Sequence, residues 1–420
     1  NICDQDVLIG ITEGGETFSV LGSVKEALDV NAKAFIMFNN PADILCEHIE
    51  RSREIIENPA VTVLDLYCGP MAVAGSTRMQ ATTSEQLIAG AMLEKLLARL
   101  LRENLTGREL SLFPEPDIDF VAEMNSLVNS LQTPEAAEAL GHFIRSEENV
   151  YRNNALVTYF ADEFLIDIFT DTTERAPTFM LPPFRKFDDL ELLPSWAFVK
   201  DPYCNTPDTW KHCLGRDLRC LEWSTEDYIQ MGTPEKIISN PPAVSKKNML
   251  RFLIGNEEEK CRFESPESTA FNIFSGPEYL NKQISGNTPV IENFSSVIHV
   301  IVGDCPACPE NAIHIPVGIP ASNLKLMEHM AVKLAMNTIS TGTMVLMGKV
   351  TGNWMSFVSL SNKKLVDRSI RLISELGRIS YKEACYALFQ SLHELDQIDF
   401  KGKEEPSPVQ YTLQKLLQNK

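Results

Sequence analysis

A short loop near the start of the sequence combines glycines with hydroxyl side chains. The segment 12–17 (TEGGET) follows an apolar run and precedes a stretch with helical spacing. Proteins bind phosphate with exposed backbone N–H groups, helix N-termini and short hydroxyl side chains. Gly14 and Gly15 would let the backbone approach an anion, while Thr12 and Thr17 offer hydroxyl donors. Because short glycine motifs are weak evidence, an anion site and an ordinary strand-to-helix turn are about equally favoured, and the charges of Glu13 and Glu16 count slightly against phosphate.

A second group of donors precedes a helix that the sequence predicts over residues 84–103. Gly75, Ser76, Thr77 and Arg78 supply amides, hydroxyls and a guanidinium group. The planar fork of an arginine matches the oxygens of a phosphate. The same residues would also suit a helix cap with a surface ion pair, so this segment alone leaves both interpretations open.

A carboxylate and two lysines are further candidates. Glu174 lies in 172–177 (TTERAP), which we expect to be a loop between a helix and a strand. Glu174 could bind sugar hydroxyls or act as an acid or base, although the composition of this segment favours a solvated glutamate in a loop. Lys333 and Lys349 are the cations of the stretch 333–362 that could reach an anion. The Met, Leu and Val spacing of that stretch favours a core helix over a cofactor site.

Cys305 and Cys308 form a CxxC pattern after an apolar strand candidate. A structural zinc site would need a second pair of ligands at suitable spacing, and a redox pair is the other alternative. Because the ten cysteines are scattered without regular spacing, we interpret the pair as free thiols. The sequence therefore predicts no metal site and no cofactor.

Charge and composition exclude several classes of protein. The 420 residues carry a formal net charge of −19, whereas nucleic-acid and anionic-membrane binding require a dense basic face. There is no apolar run near the roughly 18 residues of a membrane span, so we expect no transmembrane helix and no signal peptide. We expect a cytoplasmic globular protein without a disulfide framework. Because the sequence runs almost directly into a strand, we also expect its first domain to lack an N-terminal portion.

Alternating strand, loop and helix signals predict an α/β fold with parallel sheets covered by helices. Two such blocks suggest a diverged internal repeat, the second with an irregular insertion over 202–289. The expected strands are 6–10, 34–38, 61–66, 155–160, 178–181, 195–199, 219–222, 297–302 and 312–317. The expected helices are 19–29, 47–57, 84–103, 120–131, 134–146, 162–169, 323–348, 365–376, 381–395 and a short one in the tail, with a loop at 107–116.

Three segments resemble one family of domains. DVLIGITEGGETFSVLGSVKEAL resembles the phosphosugar-binding loop and helix of sugar isomerase (SIS) domains. GPMAVAGSTRMQATTSEQLIAGAML and MAVKLAMNTISTGTMVLMGKVTGNWMSFVSLSNKKLVDR resemble segments of two families, the bacterial N-acetylmuramic acid 6-phosphate etherases and the vertebrate glucokinase regulatory proteins. The tandem arrangement is similar to the regulatory proteins, because the etherases carry one SIS domain per chain.

This resemblance implies two SIS-type doubly wound parallel-sheet domains, the first N-terminally incomplete, followed by a helical C-terminal region. The implied ranges are 1–106 for the first domain, 107–150 for a helical connector, 151–335 for the second domain and 336–420 for the helical region.

The resemblance also implies a ligand such as fructose 6-phosphate, bound between the two domains. Hydroxyl loops of the first domain would hold the phosphate. A glutamate and a lysine of the second domain, matching Glu174 and Lys333, would contact the sugar. The candidate binding residues are Thr12, Gly14, Gly15, Thr17, Ser76, Thr77, Arg78, Glu174 and Lys333.

The chain departs from the family pattern in two places. Gln80 stands where the family has a lysine, and the loop 303–306 of the second block carries Asp304 without a hydroxyl cluster. We therefore expect only the first block to bind phosphate.

Three functions remain open. The first is a non-catalytic sugar-phosphate-binding regulator, with a sugar kinase as a candidate partner and with neither nucleic acid nor membrane as a partner. The second is an etherase-type carbon–oxygen lyase, in which Glu174 would be catalytic, although no second carboxylate is identifiable. The third is an aldose–ketose isomerase, for which no base stands in a recognisable position. We expect the first.

Overall fold

The structure is a computed structural model that describes residues 2–113, 118–286, 289, 291, 293–400 and 405–418. Its contacts divide the chain into two compact units. Unit 1 comprises Asn1–Asn125, Pro320–Met330 and Gly352–Met355, and unit 2 comprises Ser126–Ile319, Ala331–Thr351 and Ser356–Lys420.

Unit 1 contains a parallel sheet in which three strands lie in sequence order. Its elements are β1 (Val7–Ile11), α1 (Phe18–Asp29), β2 (Lys33–Phe38), α2 (Ala42–His48), α3 (Glu50–Ile56), β3 (Val61–Asp65), α4 (Gln80–Asn104), α5 (Gly107–Leu110) and the start of α6 (Phe120–Leu131). Because all three strands are parallel, their carboxyl ends lie at one edge of the sheet.

The core of unit 1 lies between α1 and one face of this sheet. Leu21, Val24 and Ala27 recur at helical spacing, are buried, and pack with Ile36 of β2. A side chain at Gly10 of β1 would come within 3.0 Å of Val24, so this glycine lets α1 lie close to the sheet. The close packing fixes the loop that joins β1 to α1.

Unit 2 contains a five-stranded parallel sheet with helices. Its elements up to the last strand are α7 (Pro134–Arg152), β4 (Val157–Phe160), α8 (Leu165–Phe179), β5 (Ala197–Lys200), α9 (Thr206–Leu214), α10 (Thr225–Gln230), α11 (Glu235–Ser239), α12 (Lys246–Met249), β6 (Thr269–Ser275), α13 (Gly276–Ser285), β7 (Ser296–Val302) and β8 (Ile313–Ile315). They are followed by α14 (Leu326–Leu346), which begins in the Pro320–Met330 segment, and by α15 (Lys363–Gly377), α16 (Tyr381–Leu395) and α17 (Pro408–Gln418).

The strand order of the unit 2 sheet is β5-β4-β6-β7-β8. The order reverses between β4 and β6, which makes the sheet doubly wound and places a crevice at the carboxyl ends of these two strands. Phe143 of α7 lies 4.5 Å from Phe271 of β6 and 6.5 Å from Tyr159 of β4, measured between ring centroids. These rings form the core between α7 and the central strands.

Strand β6 was not predicted, because it lies in the segment 202–289 that the sequence marked as an irregular insertion. All seven of its residues are buried, including Asn272 and Ser275. A strand buried on both faces loses the alternation of polar and apolar residues, and these polar side chains also interrupt its apolar run. The insertion therefore supplies the middle strand of the second sheet.

Helix α8 replaces a predicted loop at 172–177 and a predicted strand at 178–181, and both predictions are wrong. The helix predicted at 162–169 instead spans Leu165–Phe179 with Pro177 inside it, and its C-cap residue is Met180, whose φ is 52°. The hydroxyl of Thr172 bonds to the carbonyl of Ile168 one turn earlier, which a helical conformation allows.

Three further predictions need correction. The helix predicted at 47–57 is two short helices, because Ile49 between them is extended. No strand forms at 219–222. The predicted loop at 107–116 contains α5, and its residues 114–116 lie outside the described part of the chain.

The α/β fold with parallel sheets and a helical C-terminal region is confirmed. The predicted ranges 1–106, 107–150, 151–335 and 336–420 do not coincide with the two units, since α7 of the predicted connector packs on the sheet of unit 2. Those sequence boundaries stay a prediction. Among the residues that the structure describes, no helix is both long and apolar enough to span a bilayer.

Candidate functional site

The backbone carbonyl groups of the loop between β1 and α1 are hydrogen-bonded within unit 1. Every carbonyl from Thr12 to Thr17 accepts a hydrogen bond. The donors, in order, are the amide of Gly15, the amide of Asn39, and the side chains of Asn40, Ser52 and Arg51, followed by the amide of Leu21. Free carbonyl oxygens would repel an anion. Because all six carbonyl groups accept hydrogen bonds, this loop is more suitable for binding an anion.

The start of α1 adds hydrogen-bond donors to the same loop. The first N–H groups of a helix have no partner within the helix and carry a partial positive charge. Thr17, the N-cap residue, makes no side-chain cap bond, and no acidic residue lies in the first turn. The hydroxyl oxygens of Thr12 and Thr17 are 2.8 Å apart, with Thr12 buried and Thr17 exposed. This arrangement is typical of anion binding at a helix N-terminus.

The loop conformation depends on Gly15. Its φ is 70°, and a side chain there would come within 2.5 Å of Leu45 Cδ1. Glu16, which counted against phosphate in the sequence, lies 3.4 Å from the Arg51 guanidinium, so its charge is partly neutralised. Of the predicted loop residues, Gly15 therefore shapes the backbone, a side chain at Gly14 would meet only ordinary contacts, and Thr12 and Thr17 supply hydroxyls.

Ser76, Thr77 and Arg78 do not cap the helix that follows them. Helix α4 begins at Gln80, and its N-cap residue is Met79. Thr77 is exposed and Arg78 is buried. The Ser76 hydroxyl is buried and has no hydrogen-bond partner among the described residues. Since buried hydroxyls are normally hydrogen-bonded, Ser76 is the strongest candidate ligand contact of this segment.

Gln80 has a structural role at the position where the family pattern has a lysine. Its side-chain amide donates to the carbonyl of Pro70 at 3.1 Å and accepts from the backbone N–H of Ala72. Gly75 lies in the same loop with a φ of 96°, which favours glycine. The side chain of Gln80 thus stabilises the loop that precedes Ser76 through hydrogen bonds to its backbone.

Asn39 links the two donor segments of unit 1, and sequence reasoning missed it. Its backbone N–H donates to the carbonyl of Glu13, and its side chain donates to Glu85 at 2.8 Å. It also accepts from the Ser84 hydroxyl at 2.7 Å. Because Asn39 directly follows β2, it fixes the β1–α1 loop and the first turns of α4 at one edge. The signal was visible as a polar pair ending an apolar strand.

In unit 2, Glu174 lies on the exposed side of helix α8, between the buried residues Asp171 and Arg175. Lys333 lies on α14 with 8% of its surface exposed, and its Nζ donates to Asn337 Oδ1 at 2.9 Å. Both predicted residues of the second domain therefore project from helices. Lys349 instead lies under aromatic rings, 4.2 Å from the centre of Phe357, where burial lowers its pKa to about 8.

The carboxyl edge of the unit 2 sheet is acidic. Asp162 and Glu163 follow β4, and Glu278 begins the helix after β6, so they flank the point where the strand order reverses. Glu278 accepts from the backbone N–H groups of Glu163 and Ser275. Lys282 pairs with Asp162. This edge carries three carboxyl groups and Lys282, whereas the corresponding edge of unit 1 carries the hydroxyls of Thr12 and Thr17 and the N-terminus of α1.

A cavity of about 250 Å³ lies at the carboxyl ends of β4 and β5. Its polar walls are already bonded to one another or to nearby groups. Lys200 lies 3.4 Å from Glu259, and the side chain of Arg262 donates to backbone carbonyls. These contacts hold the segment after α12 against the sheet, so the cavity adds no candidate site residue.

Cys305 and Cys308 are free thiols, and burial is the largest of the causes that raise the pKa of Cys308. His314, six residues after Cys308 in the sequence, contacts the carbonyl of Gly303 at 2.8 Å. Within the described ranges, no group of three or more His, Cys, Asp or Glu side chains could hold a metal ion.

Comparison with known proteins extends the sequence resemblance. No family model matches the chain. The chain is 44% identical over 71 residues to an N-acetylmuramic acid 6-phosphate etherase of Microcystis aeruginosa (strain NIES-843 / IAM M-2473), covering 17% of this chain and 23% of that protein. It is 39% identical over 94 residues to the etherase of Staphylococcus aureus (strain USA300), covering 22% and 30%. The matches thus span less than a third of these relatives, and the predicted resemblance to the etherases is confirmed.

Among solved structures, the chain is similar to the C-terminal domain of glucosamine-fructose-6-phosphate aminotransferase from Francisella tularensis. The identity is 12%, with 81% of this chain and 72% of that chain covered, at a TM-score of 0.43.

Replacing Glu278 by Gln should flatten the pH dependence of stability. Burial, with Glu163 and Asp162, raises the pKa of Glu278 from 4.5 to about 8. Between these values the folded chain holds a proton that the unfolded chain releases. The free energy of unfolding therefore falls as pH rises across this window, by at most about 1.4 kcal/mol per pH unit.

Denaturant unfolding at several pH values within this window measures the slope for the wild type and for Glu278→Gln. The matched control is Glu138→Gln, since Glu138 is exposed on α7 and should leave the slope unchanged. Equal slopes in the wild type and Glu278→Gln would contradict the assignment.

Proposed function

We propose that the chain binds a phosphorylated sugar and that unit 1 holds the phosphate. The proposed phosphate contacts are the backbone at Gly14 and Gly15, the hydroxyls of Thr12, Thr17, Ser76 and Thr77, and the guanidinium of Arg78. Glu174 and Lys333 of unit 2 are the proposed contacts to the sugar part of the ligand. The observation that carries the proposal is the engagement of every carbonyl from Thr12 to Thr17, which favours anion binding by this loop.

The proposed role is a regulator or sensor of the glucokinase-regulatory-protein type, binding a ligand such as fructose 6-phosphate. The presence of two α/β units in one chain supports it, as does the acidic edge of unit 2, which leaves one phosphate site per chain. A sugar kinase as the protein partner and a cytoplasmic location are further predictions of this proposal.

Replacing Ser76 by Ala should weaken binding of the sugar phosphate. A hydrogen bond to a charged group contributes about 1.5–3 kcal/mol, which corresponds to an increase in Kd of roughly ten-fold to one-hundred-fold. Thermal-shift titrations with fructose 6-phosphate, glucosamine 6-phosphate and N-acetylmuramic acid 6-phosphate measure the affinity, because a ligand that binds only the folded chain raises its melting temperature.

The matched control is Ser23→Ala, since the Ser23 hydroxyl is exposed on α1 and bonds within its own helix. It should bind as the wild type does. A wild-type chain that none of the three ligands stabilises at millimolar concentration would contradict the proposed function. Equal affinity of Ser76→Ala and the wild type would exclude Ser76 from the site.

The second candidate function is an etherase-type lyase, and the curated relatives named above favour it. Such a reaction removes a proton next to the ether-bearing carbon of N-acetylmuramic acid 6-phosphate and expels lactate, which requires a base and an acid. Glu174 is the candidate for one of these roles. It is exposed on α8, so it can exchange protons with solvent or ligand.

If the chain is a lyase, Glu174→Gln should reduce lactate release from N-acetylmuramic acid 6-phosphate by about two to four orders of magnitude, since it removes an acid–base group. Enzymatic lactate detection measures the rate. Glu138→Gln, a control on an exposed glutamate of α7, should retain the wild-type rate. Without lactate release from the wild type, the lyase is rejected and Glu174→Gln should affect binding alone.

A further inference from the structure

A chain of hydrogen bonds in unit 2 holds the proposed ligand-binding lysine. Lys333 Nζ donates to Oδ1 of Asn337, one turn later on α14. Asn337 Nδ2 in turn donates to Asp171 Oδ1 on α8 at 2.6 Å. All three side chains are buried, with 8%, 4% and 4% of their surface exposed. The lysine is therefore connected through an amide to a carboxylate on another helix.

This network of hydrogen bonds continues beyond Asp171 into the interior of unit 2. Asp171 Oδ2 lies 3.3 Å from the Arg175 guanidinium, which lies 2.5 Å from Glu147 Oε1. The hydroxyls of Tyr151 and Tyr159 both donate to Glu147 at 2.7 Å. Burial raises the pKa of each tyrosine, so both stay neutral donors. Asp171 is thus held by an extended buried network.

The charges of this network balance. Lys333 and Arg175 are positive, while Asp171 and Glu147 are negative. A buried charge is costly unless it is paired and hydrogen-bonded, and each of these four side chains has such a partner in the network. Arg175 shows the effect, because burial alone would lower its pKa, yet its neighbours raise it above the ordinary value.

The amide of Asn337 can lie in one orientation only. Its oxygen faces the ammonium group of Lys333 and its NH₂ faces the carboxylate of Asp171. The flipped amide would place donors against the ammonium and an acceptor against the carboxylate. The hydroxyl of Ser340 also donates to Asp171 Oδ1, at 3.1 Å, which fixes that oxygen as an acceptor. The orientation of Asn337 is therefore dictated by charges on both sides.

We infer that Asn337 and Asp171 are positioning residues for Lys333 at the sugar-phosphate site, an inference that rests on the proposed function. A free lysine side chain must lose its rotamer freedom when it binds a ligand. Here the bond to Asn337 uses one of three ammonium donors and fixes the side chain before the ligand arrives. The same bonds join α14 to α8, the helix that carries Glu174.

The test is a double-mutant cycle for ligand affinity. Leucine is similar in shape to asparagine but makes neither hydrogen bond. When Lys333 is present, Asn337→Leu should raise the Kd about ten-fold, because the lysine side chain then loses its rotamer freedom only when the ligand binds. In the Lys333→Met background the same substitution should change Kd less than about two-fold, because there is no ammonium group left to position. A purely structural role of Asn337 would weaken binding equally in both backgrounds and would overturn the inference.

Binding is measured by calorimetric titration, with fructose 6-phosphate, glucosamine 6-phosphate and N-acetylmuramic acid 6-phosphate as the probes. Thr338→Val is the matched control, since Thr338 is exposed on α14 and bonds to the carbonyl of Leu334. Asn337→Ser replaces Asn337→Leu in the cycle if the latter fails to fold. If the wild type binds none of the probes, the proposed function fails together with the inference. If it binds one and the Asn337 variants bind it equally well, the inference alone fails.

Discussion

The parallel pairing of β1 with β2 determines where the polar groups of the unit 1 site lie. Because both strands run in one direction, the loop after β1 and Asn39 after β2 meet at one edge. Asn39 then holds the first turns of α4 at that edge through Glu85 and Ser84. Asn39 and Asn40 also donate hydrogen bonds to the carbonyl groups of Glu13 and Gly14 in the β1–α1 loop. An antiparallel pairing would separate these groups by the length of a strand.

The two sheets carry different polar groups at equivalent edges. In unit 1 the edge carries hydroxyls, a helix N-terminus and a buried arginine, while in unit 2 it carries Asp162, Glu163 and Glu278. Unit 2 instead offers Glu174 and Lys333 from helices α8 and α14. A buried network of balanced charge stabilises these two helices against each other. This difference supports the proposal that unit 1 binds the phosphate.

Patterning in the sequence predicted the elements whose burial is one-sided or strongly periodic, such as α1, α16 and the three strands of unit 1. Prediction from the sequence failed where tertiary packing overrides the local conformational preference of the residues. A helix was expected only to residue 169, but α8 continues to Phe179, which is buried. β6 is polar at Asn272 and Ser275 yet lies in the middle of a sheet. Residue types suggested the candidate site residues, but Asn337 and Asp171 were missed, because hydrogen bonds across distant segments leave no local pattern.

The most direct measurement is phosphorus-31 NMR of glucosamine 6-phosphate and fructose 6-phosphate titrated with the full chain. If unit 1 binds the phosphate, the phosphorus resonance should shift or broaden with saturating dependence on protein concentration. The change should be reduced by Thr12→Val, which removes a hydroxyl from the β1–α1 loop. A phosphorus resonance that stays unperturbed at millimolar concentrations of protein and sugar phosphate would contradict phosphate binding by unit 1.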